Sequence, residues 1–158
     1  MRSFEFKQFV PASLDVVWDF FSSPANLSEI TPAEMGFNIT SPGRPIMYPG
    51  MFITYKVSPV FGIKLNWVTE ITQVNDRKFF IDEQRRGPYS IWHHEHHFKE
   101  IKGGVEMHDI LYYHLPFGFI GSLIDEFFVK DKVKQIFNFR EKRVNELFPI
   151  SRNERNTI

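Results

Sequence analysis

The pattern of this chain predicts an α+β fold: a curved antiparallel sheet of six or seven strands wrapped around a long C-terminal helix, with two short helices after the first strand. Three observations carry that reading. The chain opens on alternating apolar and polar residues, the period of a half-buried strand. From Met35 to His114 the same period returns in segments separated by turn residues. From Gly118 onward the apolar residues instead recur at i, i+3 and i+4, the spacing of an amphipathic helix.

Phe4 to Val10 gives the first strand, and Pro11 ends it. Ser13 stands where an N-cap is expected, with Val16, Val17, Phe20 and Phe21 behind it at helical spacing. A second short helix is expected over Pro24–Ile30, with Ser23 as cap, Pro24 in the first helical position and Thr31-Pro32 as the stop. Turn signals at Ser41-Pro42-Gly43, Tyr48-Pro49-Gly50, Asn75-Asp76, Arg86-Gly87-Pro88 and Gly103-Gly104 then cut the meander. Strands are expected near 36–40, 51–58, 63–74, 77–84, 90–100 and 104–114, and turns this short imply antiparallel neighbours. In the last segment Ile120, Leu123, Ile124, Phe127, Phe128, Ile136, Phe137, Arg140, Val144 and Leu147 form one stripe, and Pro149 closes the helix. At 1.5 Å per residue such a helix is about 40 Å long, enough to cross the whole sheet.

A length of 158 residues suits a single domain, expected over 1–150, and the polar stretch 151–158 reads as a disordered tail. Nineteen basic and nineteen acidic residues cancel, so no global field draws in nucleic acid or an anionic membrane. With no cysteine there is no disulfide, thiol catalysis or thiolate metal site. The first twenty residues carry charges throughout and lack the apolar run of a signal peptide, and no run reaches the roughly 20 apolar residues that span a bilayer. A cytoplasmic protein without stable membrane insertion is the expectation. The unusual number is 18 phenylalanines, residues that either fill a core or line a pocket.

Several stretches carry a family likeness. They are Phe20-Phe21-Ser22-Ser23-Pro24-Ala25-Asn26-Leu27 with Ile30-Thr31-Pro32, Trp67 to Ile71, and Phe80-Ile81-Asp82-Glu83-Gln84-Arg85-Arg86-Gly87-Pro88-Tyr89. Then come Trp92-His93-His94-Glu95-His96-His97-Phe98, Met107-His108-Asp109 with Tyr113-His114-Leu115-Pro116, and Ile136-Phe137-Asn138-Phe139-Arg140. Taken together, almost end to end, the chain resembles the START-like superfamily of polyketide cyclases, aromatases and pollen-allergen-like proteins, and within it a bacterial group of small ligand-binding proteins. The resemblance implies a helix-grip fold and an apolar cavity for a small molecule. It implies no single chemistry, because members include carriers, receptors and cyclases.

Four of the six histidines lie in Trp92-His93-His94-Glu95-His96-His97-Phe98. Strand alternation puts Trp92, His94, His96 and Phe98 on one face and His93, Glu95 and His97 on the other. Because Trp92 and Phe98 belong in a core, His94 and His96 are expected to point inward. The same alternation places Asp82 and Gln84 with Phe80, and Asp109 and Tyr113 with Met107 and Leu111. Asp82, Gln84, His94, His96 and Asp109 should therefore meet inside an aromatic shell.

Four readings of that cluster stay open. Buried His and Asp can satisfy each other as core groups. They can orient a polar group on a bound ligand without chemistry. A histidine held by Asp82 or Asp109 can act as an acid or base. Two imidazoles at i, i+2 with a carboxylate can ligate zinc or non-haem iron, but such pairs are common in strands without a metal, so no metal or cofactor is expected. Phe52, Tyr55, Trp67, Trp92, Tyr113, Phe127 and Phe128 are the candidate walls, each of which ordinary core packing also accounts for. Arg85, Arg86 and Arg140 read as solvated charges, with a rim position or pairing with a carboxylate as the alternatives for Arg140.

The leading expectation is binding or transport of a hydrophobic small molecule, a lipid, polyketide-like ring or isoprenoid, by a monomer or weak homodimer. The alternative is a cyclase, aromatase or dehydratase using His94 or His96 with Asp82 or Asp109. An interaction module has no sequence feature in its favour.

Overall fold

The structure, a computed structural model, describes residues 1–150 apart from Pro42, Arg44 and 59–63. The expected tail 151–158, the middle of the Ser41-Pro42-Gly43 turn, the turn at Gly62 and the first residue of the 63–74 strand lie outside the described residues.

Strand β1 (Arg2–Val10) is followed by helix α1 (Leu14–Phe21), two 3₁₀ segments (Pro24–Ile30 and Ala33–Met35) and the strands β2 (Asn38–Ile39), β3 (Met51–Val57), β4 (Leu65–Asn75), β5 (Phe79–Arg86), β6 (Ile91–Ile101) and β7 (Gly104–His114). They form one seven-stranded sheet in the order β1-β7-β6-β5-β4-β3-β2, antiparallel throughout. Consecutive strands from β2 to β7 are neighbours, as short turns require, and β1 closes on β7 with Arg2 opposite Tyr113. That pairing extends β1 two residues beyond the expected start. The expected 36–40 strand shrinks to Asn38–Ile39, paired with Lys56 and Tyr55 of β3. Register shifts between Val68 and Thr69 and between Ile71 and Gln73 interrupt the β4–β5 ladder, and such bulges bend and twist a strand, which curves the sheet here.

Ser13 holds an extended N-cap backbone and its carbonyl accepts from Val17, but its hydroxyl caps nothing. Val17, Trp18 and Phe21 of α1 bury against the sheet, with Trp18 edge-on to Phe80 and Phe98. The second short helix is 3₁₀ and ends as predicted before Thr31, whose hydroxyl donates to the Leu27 carbonyl at 2.6 Å.

The C-terminal helix is continuous from Gly118 to Leu147 but changes its winding. Helix α2 (Gly118–Ile124) passes through a π-helical segment (Asp125–Val129) into α3 (Lys130–Leu147). Gly121 meets the preceding loop, where a Cβ would come within 2.0 Å of the Pro116 carbonyl. Asp125 turns inward to accept from the Tyr113 hydroxyl and from Arg2 Nε, both at 2.5 Å. The buried stripe thus runs Gly121, Asp125, Val129, Val133, Phe137 and Val144, one residue out of phase with the predicted stripe in its first half. That phase difference corrects two candidate walls: Phe127 and Phe128 are 69% and 59% exposed and face away from the sheet.

The inner face carries two apolar clusters. One joins α1 to the strands through Trp18, Phe21, Ile53, Ile71, Phe80, Phe98 and Met107, with Val144 of α3. The other joins Leu111 and Tyr113 of β7 to Val129, Val133 and Phe137. The cavity lies where helix and sheet part. Among the described residues no helix is long and apolar enough to cross a membrane.

Candidate functional site: a polar quartet on the wall of an apolar cavity

The cavity has a volume of about 130 Å³. Its sheet side is built by inward residues of four consecutive strands: Ile53 and Tyr55 of β3, Trp67 and Thr69 of β4, Phe80 and Asp82 of β5, and Trp92, His94 and His96 of β6. Met35 and Phe37 close one end, and Ile136 and Arg140 of α3 form the roof. Alternation explains the selection on each strand, since every second side chain faces the helix.

Tyr55, Trp67, Asp82, Trp92, His94 and His96 therefore stand on the cavity, where the sequence pattern puts them. Four other candidates do not join them, besides Phe127 and Phe128. Phe52 is 54% exposed because it alternates with the inward Met51 and Ile53. Gln84 bends back onto its own turn, donating to the Tyr89 carbonyl at 2.6 Å and accepting from the Tyr89 N–H at 3.2 Å. Gly87 makes room for this clamp, since a Cβ there would come within 2.2 Å of Gln84 Oε1. Tyr113 is buried in the second cluster and spends its hydroxyl on Asp125. Asp109 lies behind the histidines, away from the cavity surface, yet it completes their network.

Register sets that network. Asp82 pairs with His94 across β5–β6, and His96 pairs with Asp109 across β6–β7. Each imidazole consequently lies between the two carboxylates. Asp82 Oδ2 is 3.0 Å from His96 Nε2, which hydrogen-bonds to it, and 3.5 Å from His94 Nδ1. On the far side Asp109 Oδ1 is 2.7 Å from His96 Nδ1 and 3.3 Å from His94 Nε2, off the line of either ring N–H, so these contacts are close without being well-formed hydrogen bonds. The ring centroids are 3.8 Å apart, and both histidines are about as buried as any core residue.

Burial and mutual charge then divide the four groups. Burial, reinforced by the neighbouring His96, lowers the His94 pKa to about 4, so this ring is neutral at pH 7. Burial opposes the charge of His96 as well, but Asp109 and Asp82 outweigh it and hold its pKa above the ordinary value. For Asp82 and Asp109 burial again opposes ionisation, and the two histidines overcome it, helped at Asp82 by Arg140; both carboxyls titrate below their ordinary range.

Two further polar residues line the cavity. Arg140, read as solvated, reaches the cavity roof instead, its guanidinium 5.1 Å over the Phe137 ring and its Nε buried without a hydrogen-bond partner. Thr69 is a second polar hub on the sheet side, accepting from Trp67 Nε1 at 3.0 Å and sharing a 2.9 Å hydrogen bond with the Tyr55 hydroxyl. The signal for Thr69 was its place on the face of Trp67. For Arg140 it was a cation inside an otherwise apolar helical stripe.

No protein-family model matches the chain, and no curated protein matches it in sequence. Solved structures match its fold. Protein CV1439 from Chromobacterium violaceum superposes with a TM-score of 0.71 at 11% identity, covering 96% of this chain and 100% of its own. TTHA0849 from Thermus thermophilus gives 0.65 at 17% identity, with coverage of 92% and 99%. Ara h 8.0201 gives 0.58 at 15% identity, with coverage of 92% and 98%. At such identities the likeness shows the fold alone, the helix grip with its curved antiparallel sheet and long C-terminal helix.

Proposed function

We propose that this chain binds a small, mostly apolar molecule carrying one hydroxyl or similar polar group, held in the cavity between the sheet and α3. The observation that carries this reading is the make-up of the wall: aromatic and aliphatic side chains surround a charged patch of Asp82, His94, His96 and Arg140, while the other polar pair, Thr69 and the Tyr55 hydroxyl, bond to each other. A ligand hydroxyl there can donate to Asp82, beside the charge of Arg140. Size narrows the class. An apolar cavity of roughly 150 Å³ accommodates a benzene ring, and the volume here is about 130 Å³. Among lipids, polyketide-like rings and isoprenoids, a single phenolic ring or one isoprene unit fits, whereas a long acyl chain requires side chains to move.

Trp67 and Trp92 line the cavity and report on it directly. Titration with phenol and cresols is expected to quench their fluorescence saturably, and Trp67→Phe is expected to reduce the amplitude. A linear, non-saturating response to phenols, isoprenols and short fatty acids alike would sink the reading.

The second reading is enzymatic, and the observation favouring it is that each imidazole on the cavity wall is bracketed by two carboxylates. In dehydration of a β-hydroxy ketone, His94 would take the α-proton and His96 would protonate the departing hydroxyl as water. Loss of water from a small cyclic β-hydroxy ketone, abolished by His94→Gln, is the expected signal. A rate equal to that without protein removes this reading and leaves the first.

A further inference from the structure

We infer that Asp82, His94 and His96 form a binding site for a divalent first-row transition metal, with Asp109 as the residue that orients both imidazoles. The three side chains each offer one ligand atom, and these atoms lie within 4.8 Å of one another. Donor atoms held about 2.1 Å from such a cation, at angles between about 90° and 109°, stand about 3.0 to 3.4 Å apart. The two separations from Asp82 Oδ2, 3.0 Å to His96 Nε2 and 3.5 Å to His94 Nδ1, bracket that range.

The side of the rings away from Asp82 supports the same assignment. A metal-ligating histidine commonly gives its other ring nitrogen to a carboxylate, which fixes the tautomer and strengthens the ligand. Here both far nitrogens, His94 Nε2 and His96 Nδ1, converge on the one oxygen Asp109 Oδ1. All three atoms are buried and lack a well-formed hydrogen bond. A cation on the Asp82 side would leave the far nitrogen of each ring to carry the proton, close to Asp109 Oδ1. Entry requires only that the proton shared by His96 and Asp82 leave. Two neutral imidazoles and one carboxylate, with further coordination positions facing a cavity, make a donor set suited to zinc or ferrous iron.

The outer face of the same strand is the internal control. His93, Glu95 and His97 repeat the composition, but among the described residues they do not converge as a ligand set. Glu95 instead lies between the histidines, with Oε1 3.2 Å from His93 Nε2 and Oε2 2.8 Å from His97 Nε2. The inference shares its cavity with the ligand-binding reading, which supplies the molecule that would fill the open coordination positions.

The test uses tag-free full-length protein, stripped with a chelator and titrated with cobalt(II) as a spectroscopic probe and with zinc by calorimetry. One equivalent is expected to bind, with cobalt d–d absorption in the visible. Asp82→Asn and His96→Gln should each weaken binding by more than about 100-fold, and Asp109→Asn by about 10- to 100-fold. His93→Gln with His97→Gln should leave it unchanged. If the inner variants do not fold, as judged by circular dichroism, paramagnetic shifts in the cobalt-loaded wild type identify the ligands without any substitution: the ring protons of His94 and His96 must shift far more than those of His93 and His97. Folded protein that takes up no equivalent, or uptake that follows the outer pair, overturns the inference. Phenol quenching measured on the stripped protein separates the two claims. Quenching without metal uptake refutes the metal site and leaves the cavity reading, and metal uptake without quenching does the reverse.

Discussion

The two faces of β6 carry nearly the same residues and come to opposite ends. Inside, His94 and His96 meet Asp82 and Asp109 in a closed ring of four. Outside, His93 and His97 meet Glu83 and Glu95 in an open chain, the first link being Glu83 Oε1 to His93 Nδ1 at 3.0 Å, with Arg85 joined at its end through a 2.9 Å bond to Glu83. Composition does not separate the two sets. Burial and side-chain length do. The inner carboxylates are aspartates, whose short stems hold each oxygen at a place set by strand register, whereas the outer ones are glutamates that reach along the surface and share their charge with water. A surface ion pair gains little over hydration, and a buried one stands or falls with its partner.

Three experiments would break or sharpen that contrast. The largest expected effect is at Asp109. Asp109→Leu leaves the buried His96 facing a hydrocarbon, and removing one partner of a buried pair costs about 3–5 kcal/mol; the midpoint of urea unfolding should fall accordingly with an unchanged slope. Asp82→Asn should cost less, about 1–3 kcal/mol, because the amide still accepts from His96 and the cavity side of the group is partly open. The smallest effect belongs outside: Glu95→Gln is expected to change stability by less than about 1 kcal/mol. A loss at Glu95 equal to that at Asp109 would show that the two faces are energetically alike, and the distinction drawn from burial would fail.

Most of this arrangement was legible in the chain because it follows from a period of two. Alternation on three strands sent Asp82, His94, His96 and Asp109 inward together with Trp92, and on a fourth it placed Trp67 beside them. Residues whose placement depends on something non-periodic were not legible. Gln84 shares the inward face by count but is captured by the Tyr89 backbone, a contact that follows from the turn and not from the strand. Phe127 and Phe128 fit an unbroken α-helix, and one wider turn around Asp125 moves them to the outside. That turn answers to Tyr113 and Arg2, partners more than a hundred residues apart in sequence, and no local window contains all three. Arg140 was misjudged for a similar reason: its charge suggests water, and only the assembled roof shows it lying over Phe137 beside the polar wall.

The strand order β1-β7-β6-β5-β4-β3-β2 also sets a sequence of events during folding. The quartet comes from β5, β6 and β7, two successive hairpins whose ends meet after closing only short loops. Joining the amino terminus to the final helix is another matter, since the Arg2–Asp125 contact spans 123 residues, and the entropy of closing a loop rises with its length. Nascent chain can therefore bring its histidines and aspartates together while they are still wet, long before α3 emerges to cover them. The strands that carry the quartet are thus joined by local contacts, and the helix that covers them is joined to the sheet edge by distant ones.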